Sequence, residues 1–335
     1  MNRRRKTENR STILPAAAVS AVMLFLLAAI LLWENYGSYW KRTPELRTET
    51  TASVPADYDQ PAARQGTVIK IDYPAKDYLT GEEITKPAYV YLPYGYEENG
   101  TYDVLYMMHG WMMRAQDYLD DSFKIRTLFD HLIEDGETRP FIAVCLTFDR
   151  DNEPQSYERS VDELALFHYE LREYAMPYLE ERLATCAENT SLKGLRAARD
   201  HRAFAGFSMG AVTTWHQFLF NLDLIRGFVP MSADSWIRGA NGGRLKPEAT
   251  VRSLVSAIHD HRMGLDDYFI YTAAGKGDPM FVNVDTQVTE MKRRQEFTAD
   301  NMIYGISDTG IHDMIAVREY LYNALPHIFP GGTEQ

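Results

Sequence analysis

The chain has 335 residues, of which 45% are hydrophobic and 24% are charged, and its formal net charge is −12. This composition supports one sizeable globular core and excludes a disordered chain. The acidic balance argues against nucleic acid or an anionic surface as the main partner, so we expect no nucleic-acid binding.

The first 33 residues have the pattern of a membrane anchor. Residues 1–12 form a short basic tail with five Lys or Arg side chains, and residues 13–33 are uncharged and largely apolar. About 20 apolar residues suffice to span a bilayer, and basic residues before them keep the N-terminus in the cytoplasm. We therefore expect a single N-terminal transmembrane helix, with the remaining chain outside the cell. A cleaved signal peptide followed by secretion is the alternative.

Residues 34–65 separate this anchor from the rest of the chain. They are rich in Thr, Pro, Ala and charged residues, without an apolar period. Such a composition predicts a flexible tether, which would hold a domain of residues 66–330 away from the membrane.

Within residues 66–330, short apolar runs alternate with helical patterns. Helical spacing of apolar residues falls in 161–183 and 211–222. Residues 67–73 alternate between two faces and are predicted to form a strand. The other segments predicted to be strands are the runs 88–92, 104–108, 141–146, 203–205, 228–231, 269–273 and 302–306. Strands that alternate with helices favour a parallel sheet, and strands that are apolar throughout favour a sheet covered on both faces. We predict a three-layer α/β sandwich with a mostly parallel central sheet.

The two cysteines carry little information about function. Cys145 lies in an apolar run and is expected to be a buried free thiol. A disulfide between Cys145 and Cys186 is the alternative. Two cysteines at this spacing do not resemble a cysteine-based metal site.

The motif Gly206-Phe207-Ser208-Met209-Gly210 is the strongest chemical signal in the chain. A predicted strand, 203–205, precedes it, and a predicted helix, 211–222, follows it. A strand, a tight turn with small glycines and a helix are what a nucleophile elbow requires. The pattern therefore predicts that Ser208 is a nucleophile.

A serine hydroxyl needs a base that accepts its proton, and in this type of site the chain order is serine, acid, histidine. Of nine histidines, His312 is the one that follows a late strand, 302–306, in a short glycine-containing loop. We therefore predict that His312 is the general base.

The acid should orient the imidazole and stabilise its cationic form. Asp278 follows the predicted strand 269–273, and the carboxyl ends of such strands carry functional groups. We predict that Asp278 is this acid. Asp313, Asp308 and Asp234 are the alternatives, although Asp313, adjacent to the histidine, is better suited to a local cap.

Two backbone N–H groups should stabilise the oxyanion. The first is predicted at Met209, directly after the nucleophile, and the second at Trp111, in the loop after strand 104–108. Met112 is the alternative to Trp111 for the second donor. The side chains of Trp111, Met112 and Trp236 are candidates for substrate binding, and packing in the core is the other interpretation of Trp236.

Four segments resemble the esterase-D-like group of α/β-hydrolases, which includes feruloyl esterases, acetylxylan esterases and the mycolyltransferase antigens. They are 89–96, 105–110, 199–210 and 310–313. The resemblance extends from about residue 66 to 330. Two departures concern the cleft: Trp111-Met112-Met113 stands where feruloyl esterases usually have glycines, and Val317 stands where they often have a tryptophan.

The resemblance implies a catalytic triad of Ser208, Asp278 and His312, oxyanion donors at Trp111 and Met209, and no metal or organic cofactor. It further implies a serine carboxylic-ester hydrolase that removes feruloyl or acetyl groups from polysaccharide. An envelope acyltransferase of the mycolyltransferase type and a non-catalytic carbohydrate-binding domain are the alternatives. The expected partners are an acylated polysaccharide and the membrane.

Overall fold

The computed structural model describes residues 46–332. Its centre is a nine-stranded sheet with the order β1-β9-β8-β7-β6-β4-β5-β3-β2. Neighbouring strands are parallel, except that β3 is antiparallel to both β5 and β2. The strands are β1 (Arg47–Thr50), β2 (Thr67–Lys76), β3 (Glu83–Leu92), β4 (Asp103–Met108), β5 (Phe141–Leu146), β6 (Arg202–Phe207), β7 (Gly227–Met231), β8 (Phe269–Gly275) and β9 (Met302–Ser307). The prediction of a mostly parallel sheet is confirmed.

Helices connect most of these strands. They are α1 (Ile125–Glu134), α2 (Tyr157–Glu170), α3 (Met176–Glu180), α4 (Leu192–Ala197), α5 (Met209–Phe220), α6 (Gly242–Leu245), α7 (Pro247–Asp260), α8 (Phe281–Met291) and α9 (Met314–Ile328). Short 3-10 turns occur at Ala56–Asp59, Ala115–Leu119 and Arg199–His201.

The sheet is buried on both faces because its strands carry apolar side chains on both sides. In β4, Val104, Tyr106 and Met108 belong to one apolar cluster with α2, α5, α7 and α8. Leu105 and Met107 belong to the opposite cluster, with α1 and α9. Alternate residues of a strand point to opposite faces, so a strand that is apolar throughout fits between two helical layers. The three-layer α/β architecture is therefore as predicted.

The helix predicted over 161–183 is interrupted in the structure. The chain forms α2, then a π turn at Leu171–Ala175, then the short helix α3. Pro177 lies in the first turn of α3, a position that tolerates proline, and it could not donate the hydrogen bond that one continuous helix would need there. The apolar period continues through this interruption, which is why the sequence pattern suggested one helix.

The N-terminal boundary of the domain differs from the prediction. Residues 46–65 were expected to belong to a flexible tether, and this is wrong: β1 pairs in parallel with β9 at the sheet edge. Tyr58 is only 4% exposed, stacks on His131 at 4.3 Å and donates its hydroxyl to Asp135 at 2.6 Å. The segment was missed because the four residues of β1 are all polar and Tyr58 is an isolated aromatic.

Several predictions fall outside the described residues. The structure does not describe the predicted basic tail (1–12), the predicted anchor (13–33) or residues 34–45. Between residues 46 and 332, no helix combines the length and the apolar character that a membrane span requires. Cys145, which is buried in β5, and Cys186 are both free thiols, in agreement with the prediction for Cys145.

Candidate active site

Ser208 lies between the carboxyl end of β6 and the first turn of α5. Its φ of 56° and ψ of −119° are strained for a residue with a side chain. The turn is tight because Gly206 and Gly210 lack side chains: a Cβ at Gly206 would overlap the Gly210 carbonyl, and one at Gly210 would overlap that of Met108. The Ser208 N–H donates to the Met231 carbonyl at 2.9 Å and ties the turn to β7. The local structure is a nucleophile elbow.

The structure brings Ser208, His312 and Asp278 together. His312 Nε2 lies 2.9 Å from Ser208 Oγ, and its Nδ1 lies 2.9 and 3.0 Å from the two carboxylate oxygens of Asp278. Asp278 follows β8, and His312 lies between β9 and α9. The carboxyl ends of parallel strands meet at one edge of the sheet, which is why residues 34 to 104 positions apart in the chain can meet here.

The carboxylate fixes the state of the imidazole. The Asp278 side chain is fully buried, and it also accepts the Met280 N–H at 2.7 Å. Burial by itself raises the pKa of this carboxyl, but the hydrogen bonds from His312 and from Met280 hold it below its ordinary value. An ionised carboxylate accepts the proton on Nδ1, so Nε2 is left to accept the Ser208 hydroxyl proton.

The alternative acids have other partners. Asp313 accepts the Ala316 N–H at 2.9 Å and caps α9. Asp308 is exposed and pairs with Lys276 at 2.6 Å. Asp234 is buried and accepts the Trp236 indole N–H at 3.2 Å and the Arg244 N–H at 2.9 Å. Within the described residues, Asp278 is therefore the acid that bonds to His312.

Two predicted oxyanion donors are near the nucleophile. Gly110 packs against Ser208, so that a Cβ on Gly110 would lie 3.3 Å from the Ser208 Cβ. This contact brings the loop after β4, with Trp111, to the elbow. The Ser208 carbonyl accepts the first hydrogen bonds of α5, from the N–H groups of Ala211 and Val212. The Met209 N–H lies in the first turn and therefore has no acceptor within the helix. Among residues 46–332, the Trp111 and Met209 N–H groups have no protein acceptor.

A series of aromatic side chains begins at Trp111, in the loop that reaches the elbow. The Trp111 and Tyr157 rings meet edge to face at 5.4 Å, and Tyr157 lies 6.4 Å from Trp236. The Trp111 indole donates to the Gln155 carbonyl at 3.1 Å. Trp111 and Tyr157 are about two-fifths exposed, and Met112, with φ 65°, is more exposed still. We call Trp111, Tyr157 and Trp236 the aromatic row.

Tyr157 was missed by the sequence reasoning. It is the first residue of α2, and its neighbours in the row follow β4 and β7, so the contact depends on the crossover that places α2 over the sheet. The sequence contains no local signal for it.

One group of three metal-ligand side chains occurs in the described part of the chain, at the opposite end of the sheet. Ligand atoms of Asp103, Cys186 and His201 lie within 4.8 Å of one another. Asp103 begins β4 and is already paired with His201, at 2.7 Å, and with Arg139. A cation would have to compete with the Arg139 guanidinium, so the cluster is better described as an ion-pair network.

Comparison with known proteins identifies a family. The family model described as "Putative esterase" matches residues 81–327. Endo-1,4-beta-xylanase Y from Acetivibrio thermocellus is 31% identical over 281 residues, which are 82% of this chain and 24% of that protein. An endo-1,4-beta-xylanase/feruloyl esterase from Xylanibacter ruminicola is 30% identical over 132 residues, 38% of this chain and 16% of that protein. The chain thus spans about a quarter or less of the curated relatives it matches.

Solved structures share the fold. A feruloyl esterase module from Clostridium thermocellum, in complex with sinapinate, has a TM-score of 0.75 and 30% identity and is covered over 97% of its length and 87% of this chain. A ferulic acid esterase from Anaeromyces mucronatus has a TM-score of 0.62 at 22% identity, covering 85% of this chain and 99% of that one. The described residues therefore have an α/β-hydrolase-like fold.

Proposed function

The chain belongs to this esterase family, and we propose that it is a serine carboxylic-ester hydrolase that removes feruloyl or acetyl groups from polysaccharide. The observation that carries the proposal is the hydrogen-bonded series from Ser208 through His312 to the buried carboxylate of Asp278. Each member has the role that acyl transfer requires: nucleophile, general base and acid partner.

In the first step, Ser208 Oγ attacks the ester carbonyl as His312 Nε2 takes the hydroxyl proton. The negative charge that develops on the carbonyl oxygen is stabilised by the Met209 and Trp111 N–H groups. As the tetrahedral intermediate breaks down, His312 gives its proton to the leaving alcohol, and the acyl group remains on Ser208 as an ester.

In the second step, water replaces the alcohol. His312 removes a proton from the water as its oxygen attacks the acyl-enzyme, and the same N–H groups hold the oxyanion. The bond to Ser208 Oγ breaks, the serine regains its proton from His312, and the acid leaves. Asp278 remains ionised and stabilises the imidazolium in both steps.

The proposed substrate class rests on the aromatic row. Flat side chains that are partly exposed beside a nucleophile can pack against a planar aryl group or a sugar ring. Trp111, Met112 and Trp236 are the proposed substrate contacts, with Tyr157 between the two tryptophans. The sinapinate bound to the similar module is an aromatic acid of this kind, which supports a hydroxycinnamoyl ester as the preferred substrate.

The proposed location is outside the cell, on a membrane anchor formed by residues 13–33. The support is the sequence pattern of a basic tail followed by about 20 apolar residues. Fractionation of cells that express the full chain tests it. Release of the protein into the medium would favour a cleaved signal peptide instead.

Hydrolysis of methyl ferulate and p-nitrophenyl acetate by the purified protein tests the proposed activity. Ser208→Ala should lower kcat by about 10⁶-fold because the nucleophile is lost, and the small residual rate would come from the oxyanion donors and substrate binding. Ser253→Ala, on α7, is the control and should leave kcat unchanged. If a folded protein hydrolyses neither ester, or if Ser208→Ala retains activity, the proposal is wrong.

A further inference from the structure

His109 is a buried histidine next to the site that the mechanism above does not use. It directly follows β4 and is completely shielded from solvent. Its Nδ1 lies 2.8 Å from the Gly110 carbonyl oxygen, and its Nε2 lies 2.8 Å from Thr147 Oγ1. The Asp149 N–H donates to the same hydroxyl oxygen at 3.1 Å. Both ring nitrogens are therefore engaged.

These contacts fix the tautomer of His109. A carbonyl oxygen can only accept, so Nδ1 must carry the proton that is donated to Gly110. Nε2 then accepts the Thr147 hydroxyl proton, and the hydroxyl oxygen remains free to accept the Asp149 N–H. Burial lowers the pKa of His109 to about 4, and the nearby Lys86 charge acts in the same direction. The imidazole is thus neutral at the pH at which His312 must act as a base.

The Gly110 carbonyl belongs to the same peptide unit as the Trp111 N–H. In a trans peptide the C=O and the N–H point in opposite directions, so a hydrogen bond that fixes the direction of the C=O also fixes the direction of the N–H. The Met113 N–H also donates to this carbonyl, at 3.3 Å. The bond from His109 therefore turns the Trp111 N–H away from His109, while Gly110 itself packs against Ser208.

We propose that His109 is a positioning residue that fixes the Gly110–Trp111 peptide so that the Trp111 N–H faces the oxyanion formed at Ser208. This inference rests on the proposed function, because an oxyanion forms there only if Ser208 attacks an ester carbonyl. A donor that is held in place before the reaction stabilises the transition state without reorganisation. His109 touches no substrate and acts through the backbone of Trp111.

Two substitutions of His109 distinguish the positioning role from simple packing, because they place a side-chain amide at different positions. In His109→Asn, the side-chain N–H₂ can occupy the position of Nδ1 and still donate to Gly110, whereas His109→Gln places its amide near Thr147. We expect His109→Gln to lower kcat for methyl ferulate by about 100-fold, the scale of losing one oxyanion donor, with KM changed less than about twofold. His109→Asn should recover most of this loss.

If His109 only fills space, the two variants will lose thermal stability to similar extents and show kcat values within about threefold of the wild type. Equal and large losses of kcat in both variants, in step with loss of folded protein, would likewise overturn the positioning role.

Two further readouts do not require ester turnover. The rate at which a fluorophosphonate labels Ser208 should fall in His109→Gln and recover in His109→Asn, because an anionic oxygen develops there too. Nitrogen-15 NMR should show His109 neutral and protonated on Nδ1 from pH 5 to 9. If the wild type hydrolyses no ester, the proposed function fails, while these measurements still test His109. Protonation on Nε2, or titration near pH 6.5, would overturn the inference.

Discussion

At the scale of single residues, Asp278 is the side chain whose chemical state matters most for the mechanism. Replacing it with Asn keeps the size but allows the amide to donate, so that His312 is held in the wrong tautomer. We expect Asp278→Asn to lower kcat by about 10⁴-fold with KM little changed. Asp308→Asn is the matched control, since Asp308 is exposed and pairs with Lys276.

The pH dependence of this effect has a definite sign. The pKa of Asp278 lies below its ordinary value of 3.8, so the carboxylate stabilises the fold above about pH 4 and that contribution is lost as the pH falls through the folded value. Asp278 therefore stays ionised wherever the protein is active. The deficit of Asp278→Asn should therefore persist from pH 7 to 9, as measured by kcat on methyl ferulate. A deficit that disappears within this range would assign the acid role to another group.

At the scale of elements, the aromatic row combines a side chain from helix α2 with side chains from the loops after β4 and β7. Tyr157 enters from α2, and it separates Trp111 from Trp236. We expect Tyr157→Ala to raise KM for methyl ferulate by about fivefold, because loss of an aromatic contact costs about 1 kcal/mol. KM for p-nitrophenyl acetate, assayed in parallel, should change less.

Tyr169→Ala is the matched control for this substitution. Tyr169 is a similarly exposed tyrosine further along α2 and stacks on Tyr78 instead. An equal rise in KM for both variants would show that the effect comes from α2 as a whole and not from the row.

The N-terminal edge of the domain is also an element with a specific role. Tyr58 packs under α1, and Arg318 from α9 donates to its carbonyl at 2.8 Å. Truncating a buried aromatic ring costs about 3 kcal/mol, so Tyr58→Ala should reduce the free energy of unfolding by that amount. Tyr94→Ala, at a tyrosine that is more than half exposed, is the control. A change below about 1 kcal/mol by urea denaturation would show that residues 46–65 contribute little to the fold.

At the scale of the whole molecule, the sequence predicted the strands whose apolar pattern results from burial. β2 was found from its alternating pattern, and β3 to β9 were found from their apolar runs, because strands in the middle of a sheet covered on both faces are apolar. β1 was missed because Arg47, Thr48, Glu49 and Thr50 form an edge strand without a buried face. An edge strand of this kind is held by backbone hydrogen bonds to its neighbour, so its sequence shows no apolar pattern.

The candidate site divides in the same way. Ser208, Asp278 and His312 could be proposed because each follows a strand in the chain order that this architecture requires. Tyr157 and the hydrogen bonds of His109 could not, since both depend on how loops and crossovers pack in three dimensions. Chain order therefore identifies catalytic residues that follow strands, whereas contacts between separate loops and helices are seen only in the structure.

The central claim, that Ser208 carries the acyl group, is tested most directly by trapping the acyl-enzyme. The protein is mixed with methyl ferulate, quenched in acid during turnover, digested and analysed by mass spectrometry. We expect a feruloyl ester on the peptide that contains Ser208, and none in Ser208→Ala. Turnover of methyl ferulate with the acyl group on another residue, and not on Ser208, would contradict the account.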